Sequence, residues 1–239
     1  MPQNKTLYPL EPMSVVELQT LVGPAFVTNF QKEVDEFMVP MRKHIALGRP
    51  LSMGKETWEY AVADSIVGSV WAGAGNSIVD VKISTDVGLD VKGVGKGGLL
   101  KSGGYSKSGE ASMYQTYEGD TDTSFSKKDS AVLWDTFIEG WNTKAKSVND
   151  YYLLVIVKDA NYNCSICGFK RVGDIPKFDP KFGSFTTDTN RPSKTSWRVE
   201  ELADPELLST VVVRNKKRLE MRLRPAMYDP KYSLSIYTF

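Results

Sequence analysis

Residues 76 to 94 (NSIVDVKISTDVGLDVKGV) constrain the chain more than any other stretch. Two short runs alternate apolar and polar residues around Ser84, Thr85 and Asp86, the pattern of a β-hairpin with a three-residue turn. In one register Ile83 faces Val87, Val81 faces Leu89 and Val79 faces Val91, which makes one face wholly apolar. The other face then sets Asp80 opposite Asp90, with Lys92 one step along the strand. Opposed like charges on a sheet are destabilising, and a divalent cation between the carboxylates removes the conflict. Slipped by two residues, the same hairpin sets Asp80 against Lys92 and Lys82 against Asp90, two cross-strand ion pairs that need no metal. Spacing alone leaves both registers open.

Composition narrows the chemistry. A chain of 239 residues that is 41% hydrophobic can bury a substantial core, in one large domain or two small ones. A net charge of +1 gives no global excess of basic residues, so a polyanion partner has to be held by a local patch. The only cysteines, Cys164 and Cys167, form a lone CxxC, and the only histidine is His44, too few ligands for a structural zinc. The pair falls in an expected strand and reads as two buried thiols in a reducing compartment. One histidine also argues against Ser-His-Asp triads and His-based nucleases. No signal peptide or apolar run of membrane-spanning length is seen, so a soluble, cytoplasmic protein is expected.

Upstream, residues 1 to 13 carry three prolines and read as an irregular lead-in. Helical spacing marks 14–22 and 24–46, with Pro40 expected to kink or divide the second segment. Residues 55 to 72 (KETWEYAVADSIVGSVWA) predict a further helix with Val62, Ala63, Ile66, Val67 and Val70 on its apolar face. Glu59 falls at the centre of that face, where a carboxylate has to be paired, protonated or bound to a cation. A carboxylate near a helix start that reaches solvent or a basic side chain is the alternative. Ala72 to Asn76 then supply a turn into the hairpin.

A helix, then a hairpin with Asp80, nine intervening residues and Asp90-Val91-Lys92, resembles the PD-(D/E)xK nuclease superfamily. Residues 88 to 115, where the D-x-K strand runs into a Gly- and Ser-rich stretch, are most similar to type II restriction endonucleases, in which a glutamate-containing helix follows. Val79 stands where many members have a proline. The resemblance covers residues 55 to about 160 and implies an α/β fold with a restriction-endonuclease-like mixed β-sheet flanked by helices (α/β/α). It implies Asp80, Asp90, Lys92 and Glu59 as catalytic residues. Mg²⁺, with Mn²⁺ as a substitute, would be held by Asp80, Asp90, the Val91 carbonyl and Glu59. It further implies double-stranded DNA as substrate and a homodimer matching a palindromic site. A repair or junction-resolving nuclease on the same core, or a non-catalytic DNA-binding protein with the slipped hairpin, are the alternatives.

The remaining segments are read in that light. Residues 93 to 109 hold seven glycines with Lys96, Lys101, Ser102 and Lys107, a loop that can approach and order on phosphates. No Walker-type GKS or GKT occurs in it, so no nucleotide cofactor is expected. Residues 110 to 129 read as an acidic surface stretch. A helix is expected over 129–146, a strand buried on both faces over 151–159 (YYLLVIVKD), and a partner strand over 164–172. Residues 173 to 198 read as one long loop bearing Arg191 and Lys194. A hairpin over 209–225 carries Arg214, Lys216 and Lys217 in the most basic stretch of the chain. It suits a phosphate surface or a charge-protected sheet edge. One domain is expected: a helical N-terminal part (1–50), a catalytic core (55–172), and a DNA-contacting loop and basic hairpin (173–239).

Overall fold

Helices α1 (Val15–Val22), α2 (Phe26–Ala46) and α3 (Lys55–Ser65) each bury one apolar stripe. They belong to a computed structural model that describes residues 10–47, 55–73, 79–95, 111–116, 130–158, 164–174, 183–187, 194–199, 208–213, 218–223 and 233–235. Ser14 starts α1 with a capping box: its Oγ accepts the Glu17 amide at 3.3 Å, and the Glu17 carboxylate accepts the Ser14 amide at 2.7 Å. In α2, Phe26, Phe30, Val34 and Met38 recur every fourth residue and are all buried. Phe30 stacks on Trp58 of α3 with ring centroids 6.3 Å apart.

Two helix expectations need correction. Of the kink or division expected at Pro40, division does not occur: α2 runs on to Ala46. The amide that proline lacks would have served the Glu36 carbonyl, and Glu36 is exposed, so water can take that place. The helix expected over 55–72 stops at Ser65. Gly68 adopts φ 81, Ser69 Oγ donates to the Ala63 carbonyl at 2.7 Å, and the chain turns into strand β2 (Val70–Trp71). Val67 and Val70, expected on the buried stripe, are therefore 84% and 65% exposed. Residues 74–76 of the expected Ala72–Asn76 turn lie outside the described residues.

The chain divides into two units. One comprises Leu10–Ala111, Ser147–Arg171 and Tyr228–Phe239, and its mixed seven-stranded sheet makes the fold α/β. Its strand order is β1 (Leu10–Pro12), β7 (Cys164–Arg171), β6 (Asp150–Lys158), β4 (Val87–Gly95), β3 (Val81–Lys82), β2. Strand β12 (Ser233–Ser235) also pairs with β7. β4 and β6 run parallel, and the other neighbouring pairs are antiparallel. β1 forms inside the expected lead-in: three residues are too few to show a period, and Leu10 is held by pairing with Arg171.

β6 is central, as the apolar run predicts, and Leu153, Leu154, Val155 and Ile156 are each 0% exposed. Val81, Leu89, Val91, Leu154, Ile156 and Ile166 share one apolar cluster with side chains of α1, α2 and α3, so these helices pack on one face of the sheet. Successive strand residues alternate faces. Asp90, between Leu89 and Val91, therefore projects from the opposite face.

The second unit contains Ser112–Lys146 and Val172–Met227, together with Met1–Pro9. Its five-stranded sheet has the order β5 (Ala111–Thr116), β11 (Arg218–Leu223), β10 (Leu208–Val213), β9 (Lys194–Val199), β8 (Gly183–Thr187). Helix α4 (Ser130–Ala145), expected over 129–146, lies against β10 and β11. The hairpin expected over 209–225 is β10–β11, with Leu208 opposite Leu223 and Val213 opposite Arg218. Two expectations change here. The stretch 173–198 contains the paired strands β8 and β9 rather than one loop. Ala111–Thr116 is a strand, where a helix was implied after the glycine-rich stretch. Both segments are rich in Thr, Ser and aromatic residues, which favour strands, but glycines and prolines on either side mask runs this short.

Candidate functional site

Up to Val81 the hairpin follows the first of the two expected registers. Val81 pairs with Leu89 and Lys82 with Gly88, which excludes the slipped alternative. The turn is closed by Ile83 and Ser84 amides donating to the Val87 carbonyl at 3.0 and 3.3 Å, while Ser84 Oγ accepts the Asp86 and Val87 amides. Asp86 accepts from Asn149 Nδ2 at 2.8 Å, and its carbonyl takes the Asp150 amide at 2.9 Å. This clasp ties the hairpin tip to the first residue of β6. It fixes the parallel register in which Tyr151 lies beside Gly88.

At Asp80 the ladder departs from regularity. The Asp80 amide donates to the Leu89 carbonyl at 2.7 Å, although Val81 is the ladder partner of Leu89. Two residues on one strand thus address one on the other, the arrangement of a β-bulge, which bends the strand and re-aims a side chain. The expected Val79–Val91 pairing is lost as a result. Val79 packs instead on Gly88, where an added Cβ would fall 2.6 Å from Val79 Cγ1. The Asp80 carboxylate swings across, and its Oδ2 accepts the Val91 amide at 2.8 Å.

Asp80, Asp90 and Lys92 come together as the spacing predicts. Lys92 Nζ pairs with Asp90 Oδ1, lies 3.7 Å from Asp80 Oδ2, and donates to the Val91 carbonyl at 3.4 Å. Asp90 is 6% exposed, and its Oδ2 accepts the Tyr151 hydroxyl at 3.0 Å. Burial pushes the Asp90 carboxyl up to about 7; the Asp80 carboxylate adds to the rise and the Lys92 ammonium opposes it. Tyr151 is raised well above the ordinary phenol range, first by burial and then by Asp90, so it remains a donor through neutral pH. The oxygens of two carboxylates and of the Val91 carbonyl thus gather around one ammonium.

Tyr151 is the member that sequence reasoning missed. It begins an apolar run and looks like one more buried residue. The available signal was its hydroxyl, since a buried tyrosine usually finds a partner for it. Which partner depends on the β4–β6 register, a long-range pairing that no local pattern reveals.

Glu59 is buried, as its place on the apolar face of α3 implies, and its Oε2 accepts Trp71 Nε1 at 3.3 Å. It is set among the residues that pack on the Leu89–Val91 face, whereas Asp90 projects from the other. Among the described residues no group of three or more His, Cys, Asp or Glu side chains could hold a metal, so Glu59 is not gathered with Asp80 and Asp90. Lys96, Lys101, Ser102, Lys107, Arg191, Arg214, Lys216 and Lys217 lie outside the described residues. Lys194 opens β9, paired with Val213. Cys164 and Cys167 are both buried. Three residues apart on β7, they project to opposite faces, and burial pushes the Cys167 thiol up to about 12.

No family model, no curated protein and no solved structure matches this chain. No helix among the described residues is long and apolar enough to cross a membrane.

Proposed function

We propose that the protein is a Mg²⁺-dependent endonuclease of the type II restriction class, hydrolysing phosphodiester bonds in double-stranded DNA at a short specific sequence. The observation that supports it is the convergence of the Asp80 and Asp90 carboxylates on the Lys92 ammonium. Two carboxylates and a main-chain carbonyl are the hard oxygen donors that suit Mg²⁺, with Mn²⁺ as a substitute. Asp80, Asp90 and the Val91 carbonyl would hold the ion. Once bound, it supplies a Lewis acid that lowers the pKa of a water and offsets charge on the scissile phosphate.

The chain's own residues do the rest. Tyr151 donates to Asp90 Oδ2 and leaves Oδ1 turned toward Lys92. The Val91 amide fixes Asp80 Oδ2. Lys92, on the same face two residues from Asp90, orients the attacking water and offsets negative charge as it develops at phosphorus. The basic hairpin and the glycine-rich stretch carry the phosphate contacts, and a homodimer would match a palindromic site. The enzyme acts in the cytoplasm without a nucleotide cofactor.

Lys92 touching both acids also favours a second reading: a structural ion-pair cluster in a non-catalytic DNA-binding protein. Incubation with supercoiled plasmid and Mg²⁺ separates them. Discrete fragments are expected; structure-dependent nicking points to a repair or junction-resolving nuclease on the same core; uncut DNA overturns the catalytic reading.

A further inference from the structure

We infer that the Lys92 ammonium is the built-in cation of the acidic pair, and that a divalent ion enters only by displacing it. The inference rests on the metal-dependent reading above and deepens it. Lys92 Nζ touches Asp90 Oδ1 and lies 3.4 Å from the Val91 carbonyl and 3.7 Å from Asp80 Oδ2. Those three oxygens are the donors a hard divalent cation would take from this chain. An ammonium and a divalent ion cannot share them, because like charges at such separations repel strongly where water is largely excluded.

Displacement is sterically open to this residue. Its side chain is 15% exposed, and a flexible four-carbon stem can carry the ammonium outward while the stem stays packed. Tyr151 holds the second Asp90 oxygen and the Val91 amide holds Asp80 Oδ2, contacts that do not pass through the ammonium. The site thus has two arrangements, one closed by its own ammonium and one open to metal. Its apparent metal affinity is reduced by the fraction of time the ammonium is seated.

The test is Mn²⁺ binding by calorimetry at one fixed pH, without DNA, on the full chain and on Lys92→Met, which keeps the stem and removes the charge. The dissociation constant is expected to fall at least about tenfold in the variant, as removal of an adjacent competing charge requires. An unchanged or weaker affinity in Lys92→Met overturns displacement and leaves the nuclease reading standing. No Mn²⁺ bound by either protein overturns both. Tighter binding in the variant, with no DNA cut by the wild type, sinks the nuclease reading alone. If Lys92→Met fails to fold, the ε-methylene NMR signal of Lys92 in the wild type, assigned through Lys92→Arg, decides. It shifts on Mg²⁺ addition if the ammonium leaves, and a signal unmoved at saturating Mg²⁺ overturns displacement.

Discussion

On strand β4, Leu89 and Val91 are 0% and 1% exposed on the face that carries the helices, and Asp90 between them is 6% exposed on the other. Burial is nearly the same; its consequences are opposite. Covering a leucine contributes about 1.5–3 kcal/mol to folding, whereas an ionised carboxylate out of water costs several kcal/mol unless it is paired and hydrogen-bonded. One face is therefore satisfied by packing alone. The other needs Lys92, Tyr151 and the Asp80 bulge around one side chain. A strand that spends stability on one face and gains it on the other has the form of a functional site supported by a rigid element.

The contrast can be broken from either side. Asp90→Ala or Lys92→Ala should lower the plasmid cleavage rate by about 10²–10³-fold, the scale of losing a charge-stabilising group. DNA retention in a gel-shift assay should persist in both. Leu89→Ala should do the reverse, with a loss of about 2–5 kcal/mol in urea unfolding and cleavage retained by the folded fraction. If Leu89→Ala abolishes cleavage at full stability, the division of labour between the faces is wrong.

Gly88→Ala sits at the boundary. Its new methyl would meet Val79 at 2.6 Å, and an overpacked site of this kind should cost about 1–3 kcal/mol. A thermal melt unchanged from wild type would mean that Val79 moves aside freely. The smallest effect is a slope. A carboxyl group raised in the folded protein holds its proton more tightly there than in the unfolded chain. Its stabilising contribution is complete below the ordinary carboxylate range and is lost as pH rises toward about 7. Metal-free protein should therefore lose stability across that window, and Asp90→Asn should flatten the decline. Equal slopes in the two proteins would remove the buried-acid account.

What could be read beforehand was whatever local pattern dictates. Alternation around Ser84–Asp86 yields the hairpin and its register up to Val81 and Leu89. The apolar run 151–159 yields a central strand, and the four-residue spacing of α2 yields its buried stripe. What escaped was set by geometry beyond the local period. Gly68 ends α3 by turning the backbone, although the apolar spacing continues past it. A bulge takes Val79 off the apolar face without leaving a mark in the alternation. β1 and β12 exist only because β7 offers them an edge.

The clasp from Asp86 to Asn149 and Asp150 joins residues that are neighbours in the sheet and far apart along the chain. Strands β4 and β6 lie side by side, yet β5 and α4 are made between them. During translation, a nascent chain ending at residue 149 already contains both acids and the lysine but lacks the tyrosine that steadies one of them. The sheet gains its central parallel neighbour only after the ribosome has traversed the whole stretch between β4 and β6, a late and non-local closure of the kind that slows folding. Until then, the hairpin's charged side has no wall beside it.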